Sequence, residues 1–380
     1  MEFLKIKNNL FNNLKNLPGW KTNRRIIIIE SDDWGSIRMP SKKIYECSLK
    51  RGLKVDEDPY SRYDSLASED DLIFLFDLLS KFKDQNSNSP IITANVMMAN
   101  PDFEAIRSSC FEKYKYELFT ETLKSYPRHT KSFFLWMEGL RNNLFYPQLH
   151  GREHLNVLKW MNALKKGNPE LLLAFNYRML TLPIIATSDN MNAYLDALEF
   201  DSKEEIATHG EIIRDAAALF HNVFGYNSKS IIAPCYIWSH EHEKLFKENG
   251  IEYIQGISYQ YEPQVIPGTL EYRKRFHCTG EKNQFKQRYL VRNAFFEPSL
   301  NPTFDWVGNC LNRIEIAFRW HNPAIISSHR INFIGYIDPA NRDRNLVLFK
   351  QLLVGILKKW PDVEFMSSDK LGELINTSAQ

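Results

Sequence analysis

The chain has 380 residues, with 48 Lys and Arg against 46 Asp and Glu, and its formal net charge is +2 at pH 7. Hydrophobic residues make up 43% and charged residues 25% of the chain, which is ordinary for a folded protein and excludes a disordered chain. Because the near-zero charge leaves no basic face to neutralise phosphates, we expect no nucleic-acid partner.

No segment approaches the ~18 consecutive apolar residues that a membrane span needs. The first residues, MEFLKIKNNLFNNLKNLPGW, lack the apolar core and small-residue cleavage site of a secretory signal. The five cysteines are widely spaced and form no CxxC pair, which is typical of buried thiols in a reducing compartment. We therefore expect a cytoplasmic protein without a membrane span.

Residues 1–24 predict a short helical extension that ends near Pro18-Gly19. Four consecutive isoleucines, Ile26 to Ile29, then predict a strand that is buried on both faces. Further apolar runs predict strands over 90–101 and around Ile231, Tyr253, Val291, Ile325 and Phe365.

Helical patterns alternate with these runs, and they begin near Glu69, Lys203, Ser239 and Arg344. Strands that alternate with helices of this length predict a parallel α/β arrangement, either a barrel or a doubly wound sheet. Two stretches fit the alternation poorly, and we expect insertions near 155–200 and 258–290.

A pair of adjacent carboxylates, Asp32 and Asp33, directly follows the isoleucine strand. In α/β proteins the functional residues lie beyond the carboxyl ends of the strands. Neighbouring carboxylates repel each other, and a metal ion or a shared proton would offset that repulsion. The alternative is a pair of helix-capping residues at an exposed turn.

A second pair, His150 and His154, has the i, i+4 spacing that places two side chains on one side of a helical turn. Both rings could then reach one ion, although HxxxH pairs also arise by chance. Together with the Asp pair they supply the two-histidine, one-carboxylate set of a catalytic divalent metal.

A third strand end carries His329, which could act as a general acid or base because histidine titrates near neutrality. The alternative is a core histidine bonded to a backbone carbonyl. His240 and His242 lie in the first turn of a charged helix, which favours a solvated surface, and Cys235 is interpreted as a packing thiol. The sequence has no GxSxG and no GxxxxGK[ST] motif.

In this order the motifs resemble those of the polysaccharide deacetylase family. The family's Thr-Phe-Asp-Asp-Gly motif is similar to the segment from Glu30 to Gly35, and its His-Ser/Thr-x-x-His motif is similar to His150 and His154. Its Asp-x-x-Asp-Trp segment is similar to residues 301–306, and its final Leu-x-His motif is similar to the residues that end at His329.

The resemblance implies a distorted (β/α) barrel of about seven parallel strands over residues 25–375, interrupted by the two insertions. It implies a divalent metal cofactor, Zn²⁺, and an acetylated carbohydrate substrate. It also implies a general base (Asp32), a general acid (His329), three metal ligands (Asp33, His150, His154) and substrate contacts (Trp34, Tyr236, Trp238, Asp305).

Three positions depart from the family pattern. Ile232 stands where the family has an arginine that orients the base, Trp34 displaces the glycine of the first motif, and Gly151 replaces a hydroxyl residue. The expected activity is metal-dependent removal of an acetyl group from an N-acetylated sugar, in preference to an O-acetylated one.

Two alternatives remain open at this point. The first is a glycoside hydrolase that uses Asp32 with Glu297 or Asp305 as its two carboxylates. The second is a non-catalytic carbohydrate-binding protein on a decayed scaffold, which the missing arginine would explain.

Overall fold

The structure is a computed structural model that describes residues 10–188, 190–266 and 269–378. Part of the expected N-terminal extension, residues 1–9, lies outside the described residues. Residues 10–15 are helical, and the chain that follows is bound to the body of the protein because Asn322 Nδ2 donates to Asn16 O at 2.6 Å.

The central sheet is parallel at every pairing between its named strands. In chain order its strands are β1 (Arg25–Trp34), β2 (Ile92–Met97), β5 (Phe145–Gly151), β6 (Ser230–Ile232), β7 (Tyr253–Gly256), β10 (Arg288–Val291), β11 (Ala294–Phe295), β12 (Ala324–His329) and β13 (Val363–Phe365). Eight of them follow the order β10-β7-β6-β5-β2-β1-β12-β11, and β13 pairs with the beginning of β1.

Two antiparallel pairs lie outside this sheet, namely β3 (Ala99–Pro101) with β4 (Tyr116–Leu118), and β8 (Tyr259–Ile266) with β9 (Thr269–Phe276). The helices are α1 (Lys42–Lys50), α2 (Pro59–Tyr63), α3 (Glu69–Ser80), α4 (Phe103–Ser108), α5 (Phe119–Lys124), α6 (Ser132–Arg141), α7 (Val157–Lys165), α8 (Pro169–Asn176), α9 (Glu205–Phe224), α10 (His240–Glu248), α11 (Trp306–Arg319), α12 (Pro339–Lys359) and α13 (Ser368–Thr377).

The isoleucine strand is buried on both faces, as its sequence predicts. Ile27 and Ile29 belong to the large core cluster, whereas Ile26 and Ile28 pack in a separate cluster with Leu371 of α13. Because side chains alternate along a strand, the face that carries residues 26 and 28 also carries residues 30 and 32. The strand thus begins with apolar side chains on that face and ends with acidic ones.

The two ends of the eight-strand path meet between β10 and β11, which are separated by only Arg292 and Asn293. The backbone N–H of Arg292 donates to Gly256 O of β7 at 2.8 Å, and that of Asn293 donates to Ile325 O of β12 at 3.1 Å. Two consecutive residues therefore bond strands from opposite sides of the sheet, and the sheet curls into a distorted barrel. The expected fold class is confirmed.

The two expected insertions, near 155–200 and 258–290, both contain ordered secondary structure. Residues 155–200 form α7, α8 and single helical turns at Ile184–Ala186 and Met191–Tyr194. Residues 258–290 form the β8–β9 hairpin, but Arg288 already begins β10 of the central sheet, so the second stretch overlaps the barrel at its end.

Among the described residues, no helix has both the length and the apolar character needed to cross a membrane. The cysteines of the described chain are free thiols, but only Cys310 is buried, so the expectation of buried thiols was wrong for the other four. The cytoplasmic location stays a prediction.

A buried ion pair fixes the turn after β12. Arg330 donates from Nε and Nη2 to the two oxygens of Asp64, each at 3.0 Å, and from Nη1 to Ser36 O at 2.7 Å. Both charged side chains are at most 1% exposed, so neither charge has water as an alternative partner.

Replacing Arg330 should therefore destabilise the protein strongly. Arg330→Leu leaves Asp64 buried without its bidentate partner, and we expect the free energy of unfolding in urea to fall by about 3–5 kcal/mol. Arg25→Ala, which removes an exposed pair with Asp362, should cost about 0–1 kcal/mol. A loss below about 1 kcal/mol in Arg330→Leu would contradict the account.

Candidate active site

A cavity of about 660 Å³ opens beyond the carboxyl ends of β1, β5, β6 and β12. Six residues singled out from the sequence line it, namely Asp32, Asp33, His150, His154, Tyr236 and His329. The segment 179–184, from the first poorly fitting stretch, lines the cavity as well. The expectation that functional residues follow the carboxyl ends of the strands therefore located the cavity. It did not predict that the segment 179–184 closes one side of it.

Three buried side chains form a cluster that could hold a metal ion: Asp33, His150 and His154. Asp33 Oδ1 lies 3.4 Å from His150 Nε2 and 3.6 Å from His154 Nε2. Ligands at about 2.0–2.1 Å around a tetrahedral ion are separated by about 3.4 Å, so the spacing fits such an ion. His150 Nδ1 donates to Ile232 O at 2.8 Å, which leaves its Nε2 lone pair free to bind metal.

Asp33 reaches this cluster because the end of β1 is irregular. The pairing of β1 with β2 shifts between Ser31 and Trp34, and Asp33 has a φ of +71°. In a regular strand Asp32 and Asp33 would point to opposite faces. The bulge and the left-handed backbone conformation turn both carboxylates into one cavity, which is a common use of bulges beside functional sites.

The two histidines do not lie on a helical turn, and that expectation was wrong. His150 belongs to the end of β5, and the chain from 152 to 156 is not helical. Gly151 has a φ of +154°, and a Cβ there would lie 3.3 Å from Met97 Sδ. A strand end followed by a tight turn at glycine, rather than helical periodicity, brings the two rings to 5.3 Å between centroids.

Asp32 is held by Arg292, which lies at the junction of β10 and β11 where the barrel closes. Arg292 donates to both oxygens of Asp32 at 2.6 Å, Asn95 Nδ2 donates to Asp32 Oδ1 at 2.7 Å, and Arg292 Nε donates to Glu30 Oε2 at 2.6 Å. Burial by itself raises the pKa of Asp32, but the Arg292 guanidinium outweighs burial and lowers that pKa to about 2. Asp32 is therefore ionised and fixed in orientation.

His329 is held in a comparable way by Glu297. His329 Nδ1 lies 2.6 Å from Glu297 Oε1, and Asn332 Nδ2 donates to Glu297 Oε2 at 2.6 Å. Burial lowers the pKa of His329, but the carboxylate of Glu297 outweighs burial and raises it to about 10. The other ring nitrogen, Nε2, lies 3.8 Å from Asp32 Oδ2, so the imidazolium faces the same cavity as the Asp pair.

Three of the expected substrate contacts lie elsewhere. Trp34 is buried in the core and donates to Ser31 Oγ at 2.9 Å, and Trp238 is buried and donates to Glu243 Oε1 at 3.1 Å. Asp305 caps the beginning of α11 by accepting from Gly308 N at 2.8 Å. None of the three lines the cavity, so neither tryptophan can stack on a sugar there. Of the expected contacts, Tyr236 alone lies in the cavity wall.

Two further expectations need correction. His242 is not solvated, because it is fully buried and its Nε2 lies 3.0 Å from His209 Nδ1. Cys235 is not a core thiol but lines the cavity, with φ of +56°. His240 is half exposed, as expected for the surface of α10.

Three residues of the site were missed from the sequence, namely Arg292, Arg38 and Tyr60. Glu297 was considered only as a glycosidase carboxylate, not as the partner of His329. Arg292 does carry a signal, because it directly follows the apolar run of β10, at the same kind of strand end that identified Asp32. Arg38 and Tyr60 come from the irregular segment after β1 and carry no comparable signal.

The fold can be compared with solved structures. A protein of Parabacteroides distasonis described as a candidate glycoside hydrolase/deacetylase superposes with a TM-score of 0.50 at 9% identity, over 95% of this chain and 73% of that one. The chain shares the fold of that protein. The resemblance inferred from the motifs is therefore confirmed at the level of the fold.

Two more structures have TM-scores below that value. A candidate polysaccharide deacetylase of Mycobacterium smegmatis has a TM-score of 0.47 at 11% identity, over 95% of this chain and 94% of that one. A 4-alpha-glucanotransferase of Thermococcus litoralis has a TM-score of 0.43 at 10% identity, and the chain spans 40% of that enzyme's length. No family model and no curated protein matches the sequence.

Proposed function

We propose that the protein is a metal-dependent hydrolase that removes the acetyl group from an N-acetylated sugar. The observation that carries this proposal is the meeting of three groups in one cavity: the Asp33–His150–His154 cluster, Asp32 and His329. A divalent ion at the cluster, Zn²⁺ in this proposal, supplies Lewis-acid polarisation of the acetyl carbonyl and of the attacking water.

Asp32 takes the role of general base. Its carboxylate is kept ionised by Arg292 and lies in the cavity wall next to Asp33. It accepts a proton as the water oxygen bonds to the acetyl carbon. The bonds from Arg292 and Asn95 restrict its rotation, so the acceptor oxygen keeps one position.

His329 takes the role of general acid. Its raised pKa, about 10, keeps the ring protonated at neutral pH. When the C–N bond of the acetamide breaks, the departing nitrogen needs a proton, and Nε2 is the ring nitrogen that faces the cavity because Nδ1 is bonded to Glu297. The products are acetate and the free amino sugar, so the atoms of one water molecule are fully accounted for.

The two alternatives have less support. A glycosidase would need a second free carboxylate near Asp32, but Glu297 is bonded to His329 and Asn332, and Asp305 caps a helix outside the cavity. The decayed-scaffold hypothesis arose from Ile232 in place of the orienting arginine. Arg292, between β10 and β11, supplies a guanidinium to Asp32. The absence of an arginine at position 232 therefore no longer supports that hypothesis.

The role of Asp32 can be tested by an isosteric change. Asp32→Asn cannot accept the proton, and we expect the rate of acetate release from N-acetylglucosamine oligomers to fall by about 10²–10⁴-fold. Asp77→Asn, at an exposed site that pairs with Lys81, serves as the matched control and should keep the wild-type rate. An unchanged rate in Asp32→Asn would refute the assignment.

Arg292 acts through Asp32 and is a positioning residue, so its replacement should affect turnover more than substrate affinity. Arg292→Lys keeps the positive charge but cannot make the bidentate contact. We expect kcat to fall by about 10–100-fold with KM within about threefold of wild type and the bound metal retained. A loss of metal, or a rise in KM with an unchanged kcat, would contradict this role.

A further inference from the structure

Arg38 lines the cavity and has an unpaired nitrogen in its guanidinium group. In the described part of the chain its buried Nε has no hydrogen-bond partner. The nearest charged atoms are Asp33 Oδ2, 3.7 Å from Nη2, and Asp64 Oδ2, 3.8 Å from Nε. Both distances exceed a hydrogen bond, and leaving a buried donor unpaired is costly.

The two nearby carboxylates are engaged elsewhere. Each oxygen of Asp64 already accepts from Arg330 at 3.0 Å. Asp33 faces His150 and His154 in the cluster that could hold a metal. Neither carboxylate is therefore free to turn toward Arg38.

Tyr60 adds a second donor beside Arg38. The guanidinium carbon of Arg38 lies 5.6 Å from the centroid of the Tyr60 ring, and that ring lies 5.8 Å from the ring of His329. Burial raises the pKa of Tyr60 well above its usual value, so its hydroxyl stays protonated. Both residues line the cavity, which gives a patch of donors next to the proposed reaction centre.

We infer, on the basis of the proposed deacetylase function, that Arg38 and Tyr60 form a subsite for an anionic oxygen group, a carboxylate or a phosphate, carried by the N-acetylated sugar. A guanidinium binds such groups through two parallel N–H bonds. The substrate class is then a charged amino-sugar derivative rather than a neutral one.

Besides Asp32 and Asp33, two further acidic residues line the cavity, Asp58 and Asp196. Asp58 accepts from the N–H and the hydroxyl of Ser61, at 2.8 and 2.6 Å, at the beginning of α2. Burial raises the pKa of Asp196. Among the described residues that line the cavity, Arg38 is the only arginine or lysine.

Binding measurements separate this subsite from catalysis. We would measure by calorimetry the affinity of the Asp32→Asn protein, which should not consume its ligand, for N-acetylglucosamine, its 6-phosphate, its 1-phosphate and the uronate with a C6 carboxylate. At least one charged sugar should bind about 10–100-fold more tightly than the neutral one. Arg38→Gln should remove that preference, Arg38→Lys should keep part of it, and Tyr60→Phe should reduce it several-fold.

The outcomes are distinct. A preference for the uronate alone identifies a carboxylate, and a preference for a phosphate alone identifies a phosphate. Equal affinities for charged and neutral sugars, or an equal loss for both in Arg38→Gln, would overturn the subsite. Acetate release by the wild-type protein without any charge preference would overturn the subsite and leave the proposed function intact. A charge preference without acetate release from any of these sugars would support the anion subsite and overturn the proposed function.

Discussion

The buried contact of Arg292 with Glu30 and Asp32 is the constraint on which the rest of the structure depends. All three side chains are at most 4% exposed, and charges removed from water so completely persist only when they are paired and hydrogen-bonded. The backbone of the same segment bonds to β7 on one side and to β12 on the other. The closure of the barrel and the orientation of Asp32 are therefore one structural feature, and a change in either would disturb the other.

The proposed chemistry follows from how the strands end around that contact. β1 supplies Asp32 by regular alternation and Asp33 through a bulge and a positive φ. β5 supplies His150 and, after a turn at Gly151, His154, while β12 supplies His329. The charges of Asp32 and His329 are set by partners that lie outside the cavity wall, Arg292 for the aspartate and Glu297 for the histidine.

Strand-end residues could be predicted from the sequence because the carboxyl ends of parallel strands converge, which brings Asp32, His150 and His329 into one cavity. Arg292 could not be assigned its role in this way, because its pairing with Asp32 across 260 residues is decided by where the barrel closes. The pairing of Glu297 with His329 spans 32 residues and likewise depends on the tertiary fold. Trp34 and Trp238 lie next to motif residues in the chain but are core residues, since neighbours along a strand or a turn need not share a face. The burial of His242 likewise depends on packing against α9, which no local pattern encodes.

The most direct test of the account is a metal reconstitution experiment. Protein stripped with a chelator would receive Zn²⁺ in steps while acetate release from an N-acetylated sugar is measured. The account predicts no activity without metal, a rise that saturates near about one equivalent, no recovery in His154→Ala, and normal recovery in His240→Ala, which changes a half-exposed histidine. Full activity in the metal-free protein, or normal recovery in His154→Ala, would contradict it.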